Sequence, residues 1–95
     1  MPAYVIAEVE VTDPEAYKLY AAKAPGITLP AGGKYLVRAG KTETLEGEPP
    51  RNRIVVIEFE SMEKARAFYY GAYQEIIPLR QAASTGRMFL VEGAA

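Results

Sequence analysis

Apolar and polar residues alternate from Tyr4 to Val11, with Val5, Ala7, Val9 and Val11 on one side and Tyr4, Ile6, Glu8 and Glu10 on the other. A period of two marks a strand with a buried face. Thr12-Asp13-Pro14-Glu15 reads as a helix start, with Asp13 or Thr12 as the cap and Pro14 in the first turn. Ala16, Tyr17, Leu19, Tyr20, Ala21 and Ala24 carry this helix, which is expected to stop before Pro25-Gly26. After a turn at Pro30-Ala31-Gly32-Gly33, a second strand is expected from Lys34 to Ala39, with a resumption from Thr42 to Leu45 after Gly40. Gly47-Glu48-Pro49-Pro50 is a loop, and the Ile- and Val-rich run Arg53 to Phe59 is the clearest strand. Ser61 caps a second helix in which Ala65, Phe68 and Tyr69 share a face. Gly71 breaks or bends that helix, and a further piece runs through Tyr73, Ile76 and Ile77 to Arg80, with Pro78 opening or kinking it. Arg87 to Glu92 is the last strand.

The order β-α-β-β-α-β predicts an α+β fold over residues 1–95 as one domain. It is the ferredoxin-like split βαβ arrangement, an antiparallel sheet with both helices on one face. Parity then sorts the strands. Val5, Ala7, Val9 and Val11, with Val55, Ile57, Phe59, Phe89 and Val91, are expected to face the helices. The opposite parity holds Tyr4, Ile6, Leu36, Ile54, Val56, Met88 and Leu90, which two helices cannot also cover. An uncovered apolar sheet face marks an association surface, and two sheets packed face to face in a homodimer would bury it. Glu8, Glu10, Arg38, Glu58 and Glu92 share that second parity, where charges must be paired, wet or functional.

Composition narrows the chemistry. The 95 residues contain no His, Cys or Trp. Zinc sites of the usual ligand set, haem or iron–sulfur ligation through those residues, disulfides, thiol nucleophiles and Ser-His-Asp triads are therefore excluded, and no cofactor is implied. Acid–base work falls to carboxylates, Tyr, Lys or groups of the ligand. A net charge of -1, with cations dispersed among acids, speaks against nucleic acid as a partner. No apolar run approaches a membrane span of roughly 18 residues, and Met1-Pro2-Ala3-Tyr4 lacks a basic signal-peptide start. The expectation is a soluble cytoplasmic protein that touches neither membrane nor nucleic acid.

Tyr69, Tyr70 and Tyr73 cluster on the second helix beside Phe68, and Arg80 and Arg38 are the cations that draw notice. The tyrosines lie on an aromatic stripe that more often fills a core than lines a pocket. Arg80 continues the stripe of Ala65, Phe68/Tyr69, Ala72, Tyr73 and Ile76, so its guanidinium pairs with a carboxylate such as Glu58 or binds an anionic group; structural pairing is the favoured outcome. Arg38 has the opposite parity to Tyr35, and the two can serve one pocket only if the strand bulges, which Gly40 allows.

The chain resembles the bacterial family known as domain of unknown function 1330, within the dimeric α/β-barrel superfamily. The resemblance rests on Tyr4-Val5-Ile6-Ala7, Val11-Thr12-Asp13-Pro14-Glu15-Ala16-Tyr17, Gly32-Gly33-Lys34-Tyr35-Leu36-Val37-Arg38, Leu45-Glu46-Gly47, Val55-Val56-Ile57-Glu58-Phe59, Ser61, Ala67-Phe68-Tyr69, Tyr73-Gln74, Arg80 and Val91-Glu92-Gly93. It spans nearly the whole chain and implies a fold and a dimer, with no established activity. Superfamily relatives include small monooxygenases acting without a metal, haem-degrading enzymes and lactone isomerases. Arg38, Glu58, Tyr69, Tyr73 and Arg80 look like the family's usual pocket set, and the resemblance makes these five the ligand-binding candidates. Two departures stand out: Gly71-Ala72-Tyr73 is one residue shorter than the family's Ser-Pro-Glu-Tyr stretch, and Ala39-Gly40 follows the arginine where two glycines are common.

Two functions compete. In the first, each protomer of a dimer binds a small anionic or aromatic organic molecule between sheet and helices, with Arg38 or Arg80 holding the anion and Glu58 or a Tyr as acid or base. Metal-free acid–base, oxygenase or isomerase chemistry belongs to this reading. The alternative is a non-enzymatic dimeric binding or interaction module with a filled interior and no ligand pocket.

Overall fold

The computed structural model describes residues 1–94. β1 (Ala3–Val11), α1 (Pro14–Thr28), β2 (Lys34–Arg38), β3 (Arg53–Phe59), α2 (Met62–Tyr70), a 3-10 turn (Ala72–Glu75), α3 (Ile77–Ala83) and β4 (Ser84–Glu92) follow in order. The strands form one antiparallel sheet in the order β2-β3-β1-β4, the ferredoxin-like arrangement expected from the sequence. The helices lie on one face, and the core between them and the sheet is built from Ala3, Val5, Ala7 and Val9 of β1, Ile57 and Phe59 of β3, and Tyr17, Tyr20, Phe68 and Tyr73 of the helical layer. Among the described residues no helix is long and apolar enough to cross a membrane.

Local chemistry sets the helix starts. The Asp13 carboxylate accepts the Ala16 N–H at 3.1 Å and Pro14 opens α1; the Ser61 hydroxyl accepts the Lys64 N–H at 3.1 Å and opens α2. Both caps satisfy donors that a helix start leaves without partners. Gly71 ends α2, where a side-chain carbon would press on the Ala67 carbonyl. Pro78 stands in the first turn of α3, where its missing N–H costs nothing.

Three elements depart from expectation. α1 does not stop before Pro25 but runs through it to Thr28, with the Leu29 N–H donating to the Pro25 carbonyl at 3.0 Å. Tyr20, Ala24 and Thr28 are buried at successive turns, and that packing outweighs the hydrogen bond a mid-helix proline removes. No strand resumes from Thr42 to Leu45: residues 39–52 form an exposed loop without regular structure. β4 begins three residues early, at Ser84, directly from the end of α3.

Register corrects the expected parity of β4. Leu90 lies opposite Val5 and Met88 opposite Ala7, while Phe89 lies opposite Ile6 and Val91 opposite Tyr4. Directly opposed residues share a sheet face. Met88 and Leu90 therefore face the helices, and Phe89 and Val91, each 43% exposed, stand on the open face. The run Met88-Phe89-Leu90-Val91 is apolar at every position and so carries no alternation to read. Glu92, opposite Ala3, changes side for the same reason and sits exposed at the strand end.

The open face keeps the acids of β1. Glu8 accepts two hydrogen bonds from Arg87, at 2.6 and 3.0 Å, which hold its carboxyl below its usual range. Glu10 pairs with Arg51 at 3.1 Å. Between these charges and Glu58, the face is apolar: Tyr4, Ile6, Ile54, Val56, Phe89 and Val91.

β2 bulges. Tyr35 pairs with Ile57 and Val37 with Val56, so Leu36 is an extra residue, and Arg38 pairs with Val55. The bulge brings Arg38 to the helix face together with Tyr35. β2 ends just before Ala39, where the backbone turns with φ +60°. A left-handed conformation costs an L-residue roughly 1–2 kcal/mol that glycine does not incur. Ala39→Gly is expected to raise stability by about 0.5–1 kcal/mol after glycine's own entropy is set against that relief; chemical denaturation would read the gain as a higher midpoint at unchanged slope.

Candidate functional site

α1 presents Tyr17, Tyr20, Ala24 and Thr28 to the sheet at helical spacing, and β1 answers with Val5, Ala7 and Val9. Where these layers do not quite meet, a cavity of about 30 Å³ remains. Its apolar floor is ringed by Arg38, Arg53 and Arg80, and its lining includes no Asp or Glu. Each guanidinium lies over a tyrosine ring: Arg38 on Tyr35 at 4.9 Å, Arg53 on Tyr17 at 5.2 Å and Arg80 on Tyr73 at 5.6 Å. Among the described residues none of the three has a carboxylate partner within salt-bridge distance. Cation–π contact, worth about 0.5–2 kcal/mol, stands where ion pairing is more usual.

The hydrogen bonds of these arginines are specific. Pro25 has no N–H to give to the Ala21 carbonyl four residues earlier, and the Arg38 guanidinium donates to that carbonyl instead at 3.0 Å. Arg80 donates to the Tyr73 hydroxyl at 2.7 Å and to the Met88 sulfur at 3.6 Å. The Tyr73 and Tyr20 hydroxyls lie 2.5 Å apart. Arg53 Nε is buried without an acceptor. Tyr35 donates to the Thr28 hydroxyl at 3.1 Å, closing the far end.

Burial pushes both Tyr20 and Tyr73 above the ordinary tyrosine value, most strongly Tyr20, where the proximity of Tyr73 adds to the effect. Both are neutral phenols at physiological pH, able to donate a hydrogen bond and poorly suited to removing a proton. The site thus offers cations and neutral donors, the equipment for holding an oxyanion.

Of the five candidates, Arg38, Tyr73 and Arg80 come together here. Tyr69 lies outside the cavity. Its ring is 5.7 Å from that of Tyr73, and it lines a surface groove of about 340 Å³ along β4 that also touches Arg80 and Met88. Glu58 does not join them. It lies opposite Tyr4 on the open face, so the expected Arg80–Glu58 pairing is replaced by Arg80–Tyr73, and Glu58 cannot act as acid or base in this cavity. Arg53, Tyr17 and Tyr20 were missed as candidates. Arg53 shares the parity of Val55, Ile57 and Phe59, and Tyr17, Tyr20 and Ala24 are spaced as one helix face, so both signals lay in the sequence.

The buried phenols have a consequence at high pH. A folded-state pKa above the unfolded value near 10.0 means that the native state holds its protons longer than the unfolded chain. The resulting stability is complete below about pH 10 and declines as pH rises past it. Thermal unfolding followed from neutral to strongly alkaline pH is expected to show this fall, and Tyr20→Phe to flatten it, with tyrosinate absorbance appearing only together with unfolding for the buried pair.

Comparison with solved structures places the fold. A protein of unknown function from Rhodopseudomonas palustris superposes with a TM-score of 0.78 at 19% identity, covering 99% of this chain and 83% of its own. A methylated form of it gives 0.74 at 19% identity, covering 99% and 82%. SnoaB, a cofactor-independent oxygenase from Streptomyces nogalater, gives 0.66 at 13% identity, covering 99% and 94%. At such identities the likeness is one of fold alone. No protein of curated function matches the sequence. Residues 2–94 match the family described as domain of unknown function (DUF1330), and the chain belongs to that family.

Proposed function

We propose that the chain binds a small organic anion in the cavity between α1 and the sheet, and that it does so as a homodimer joined through its open sheet faces. The observation that carries the first part is the set of three arginines around one apolar cavity with no carboxylate in its lining. Arg53 and Arg80 are partly buried without counter-charges, which is costly, and an anionic ligand would relieve that cost. Any reaction there would draw on what guanidiniums and neutral phenols can do, stabilising an oxyanion that forms on the ligand. Similarity to a cofactor-independent oxygenase supports chemistry carried by ligand and side chains.

A tight interior favours the second reading, an interaction module without a substrate. The cavity of about 30 Å³ admits a head group rather than a whole organic molecule, so the body of a ligand must lie toward the surface arginines. Ligand screening separates the two. Small carboxylates and phenolates are expected to raise the unfolding temperature of the parent protein in proportion to the logarithm of their concentration. Arg80→Met should abolish that rise and Glu58→Gln should leave it intact. No response in the parent supports the interaction module, and a response that Arg80→Met leaves unchanged removes Arg80 from the site.

The dimer rests on the open face, where Tyr4, Ile6, Ile54, Val56, Phe89 and Val91 form one apolar surface across three strands. Light scattering during gel filtration is expected to give twice the 10.4 kDa chain mass at micromolar concentration. Ile6→Glu, which places a charge at the centre of the face, should halve it while leaving the circular dichroism unchanged.

A further inference from the structure

Counting protons in the cavity shows more donors than acceptors. Tyr73 Oη already accepts from Arg80 at 2.7 Å, and only one hydrogen can lie on the 2.5 Å line between Tyr73 and Tyr20. If Tyr73 supplies that hydrogen, the O–H of Tyr20 has no acceptor; if Tyr20 supplies it, the O–H of Tyr73 has none. Either way one phenolic hydrogen is left over among buried groups, since Tyr20 is 9% and Tyr73 2% exposed. Arg53 Nε is a second donor, also buried and also without an acceptor. Tyr20, Tyr73 and Arg53 all line the one cavity. Buried polar groups are nearly always paired, and two unspent donors around one empty volume ask for an acceptor within it.

Volume and charge narrow the acceptor. About 30 Å³ is roughly twice what one water requires, which suits a group of two oxygens. Three guanidiniums without carboxylates make a charged acceptor better than a neutral one. We propose that the cavity is a carboxylate-head subsite in which one ligand oxygen accepts from Arg53 Nε–H and the other from the spare Tyr20–Tyr73 hydroxyl, so that Arg53 is the primary anchor of a monocarboxylate. The proposal rests on the anion-binding reading above and adds to it the anchor and the head group. Arg53 lies at the start of β3 and is only half-buried, so the ligand's body can extend past it toward solvent.

Benzoate and its neutral isostere benzamide are suitable probes, with the full chain and titration calorimetry as the readout. The parent protein is expected to bind benzoate at least tenfold more tightly than benzamide. Arg53→Met should weaken benzoate binding roughly tenfold or more, the usual cost of losing a charge-assisted hydrogen bond. It should also unfold at an equal or higher temperature without ligand, because it removes a buried donor that has no partner. A structural role for Arg53 would give the reverse: lower stability and unchanged affinity. Nuclear magnetic resonance of the arginine Nε–H groups in the unmutated protein gives a check that needs no variant, since benzoate should shift the Arg53 resonance and slow its exchange with water. Benzoate binding that Arg53→Met leaves within twofold, or an Arg53 resonance that saturating benzoate does not move, overturns the anchor while leaving anion binding at Arg38 and Arg80 standing. Equal affinity for benzamide overturns the carboxylate head. Benzoate affinity that falls in Arg53→Met but not in Arg80→Met upholds the anchor and removes Arg80 from the site. No binding of benzoate by the parent overturns both.

Discussion

Antiparallel pairing puts directly opposed residues on the same side of the sheet, and the register of β1 against its two neighbours decides the rest of the molecule. Val5, Ala7 and Val9 meet Ile57, Val55 and Arg53 on one flank and Leu90, Met88 and Gly86 on the other. Their intervening neighbours meet Glu58, Val56, Ile54, Phe89 and Arg87. One choice of register therefore sorts charge as well as hydrophobicity. Glu8, Glu10 and Glu58 go to the open face, and Arg53 goes under the helices, where no acid lines the cavity beside it. Slipping β1 by one residue would exchange the two sets and leave carboxylates buried beneath α1.

The helix face tolerates its cations because each has a substitute for an ion pair. Tyrosine rings take the flat sides of the guanidiniums, and backbone or hydroxyl oxygens take some of their N–H groups. Pro25 belongs to this arrangement. By withholding an N–H from the helix it releases the Ala21 carbonyl, and that oxygen positions Arg38. A residue that weakens a helix in isolation thus supplies an acceptor to a side chain from another element. The site is assembled from α1, the sheet, the 3-10 turn and α3, and no single segment contains it.

Much of this was legible in the sequence, and the failures have physical causes. β1, β3 and both helix caps carried strong periodicity or capping chemistry and were read within a residue. α1 was cut short at Pro25 because a local rule cannot weigh the burial of Ala24 and Thr28 beyond it. The parity of β4 was misread because four successive apolar residues fit either face. The stripe that carries Arg80 leaves a carboxylate such as Glu58 or an anionic group as its partner, and only the register shows Glu58 to stand on the other side of the sheet. Arg53 opens its strand and no motif or spacing singles it out, although its parity with Val55, Ile57 and Phe59 places it beneath the helices.

The extra residue at Leu36 gives the site an unusual form of vulnerability. Arg38 reaches the cavity through the count of residues before it, not through any residue type in β2. Removing one amino acid there would substitute nothing and keep every pocket side chain, yet it would turn Arg38 outward and leave the Ala21 carbonyl without its donor. Family members aligned across β2 should therefore be compared for length before they are compared for identity. A relative with the same arginine and a strand one residue shorter would share the letter without sharing the position, and its ligand preference would be free to diverge.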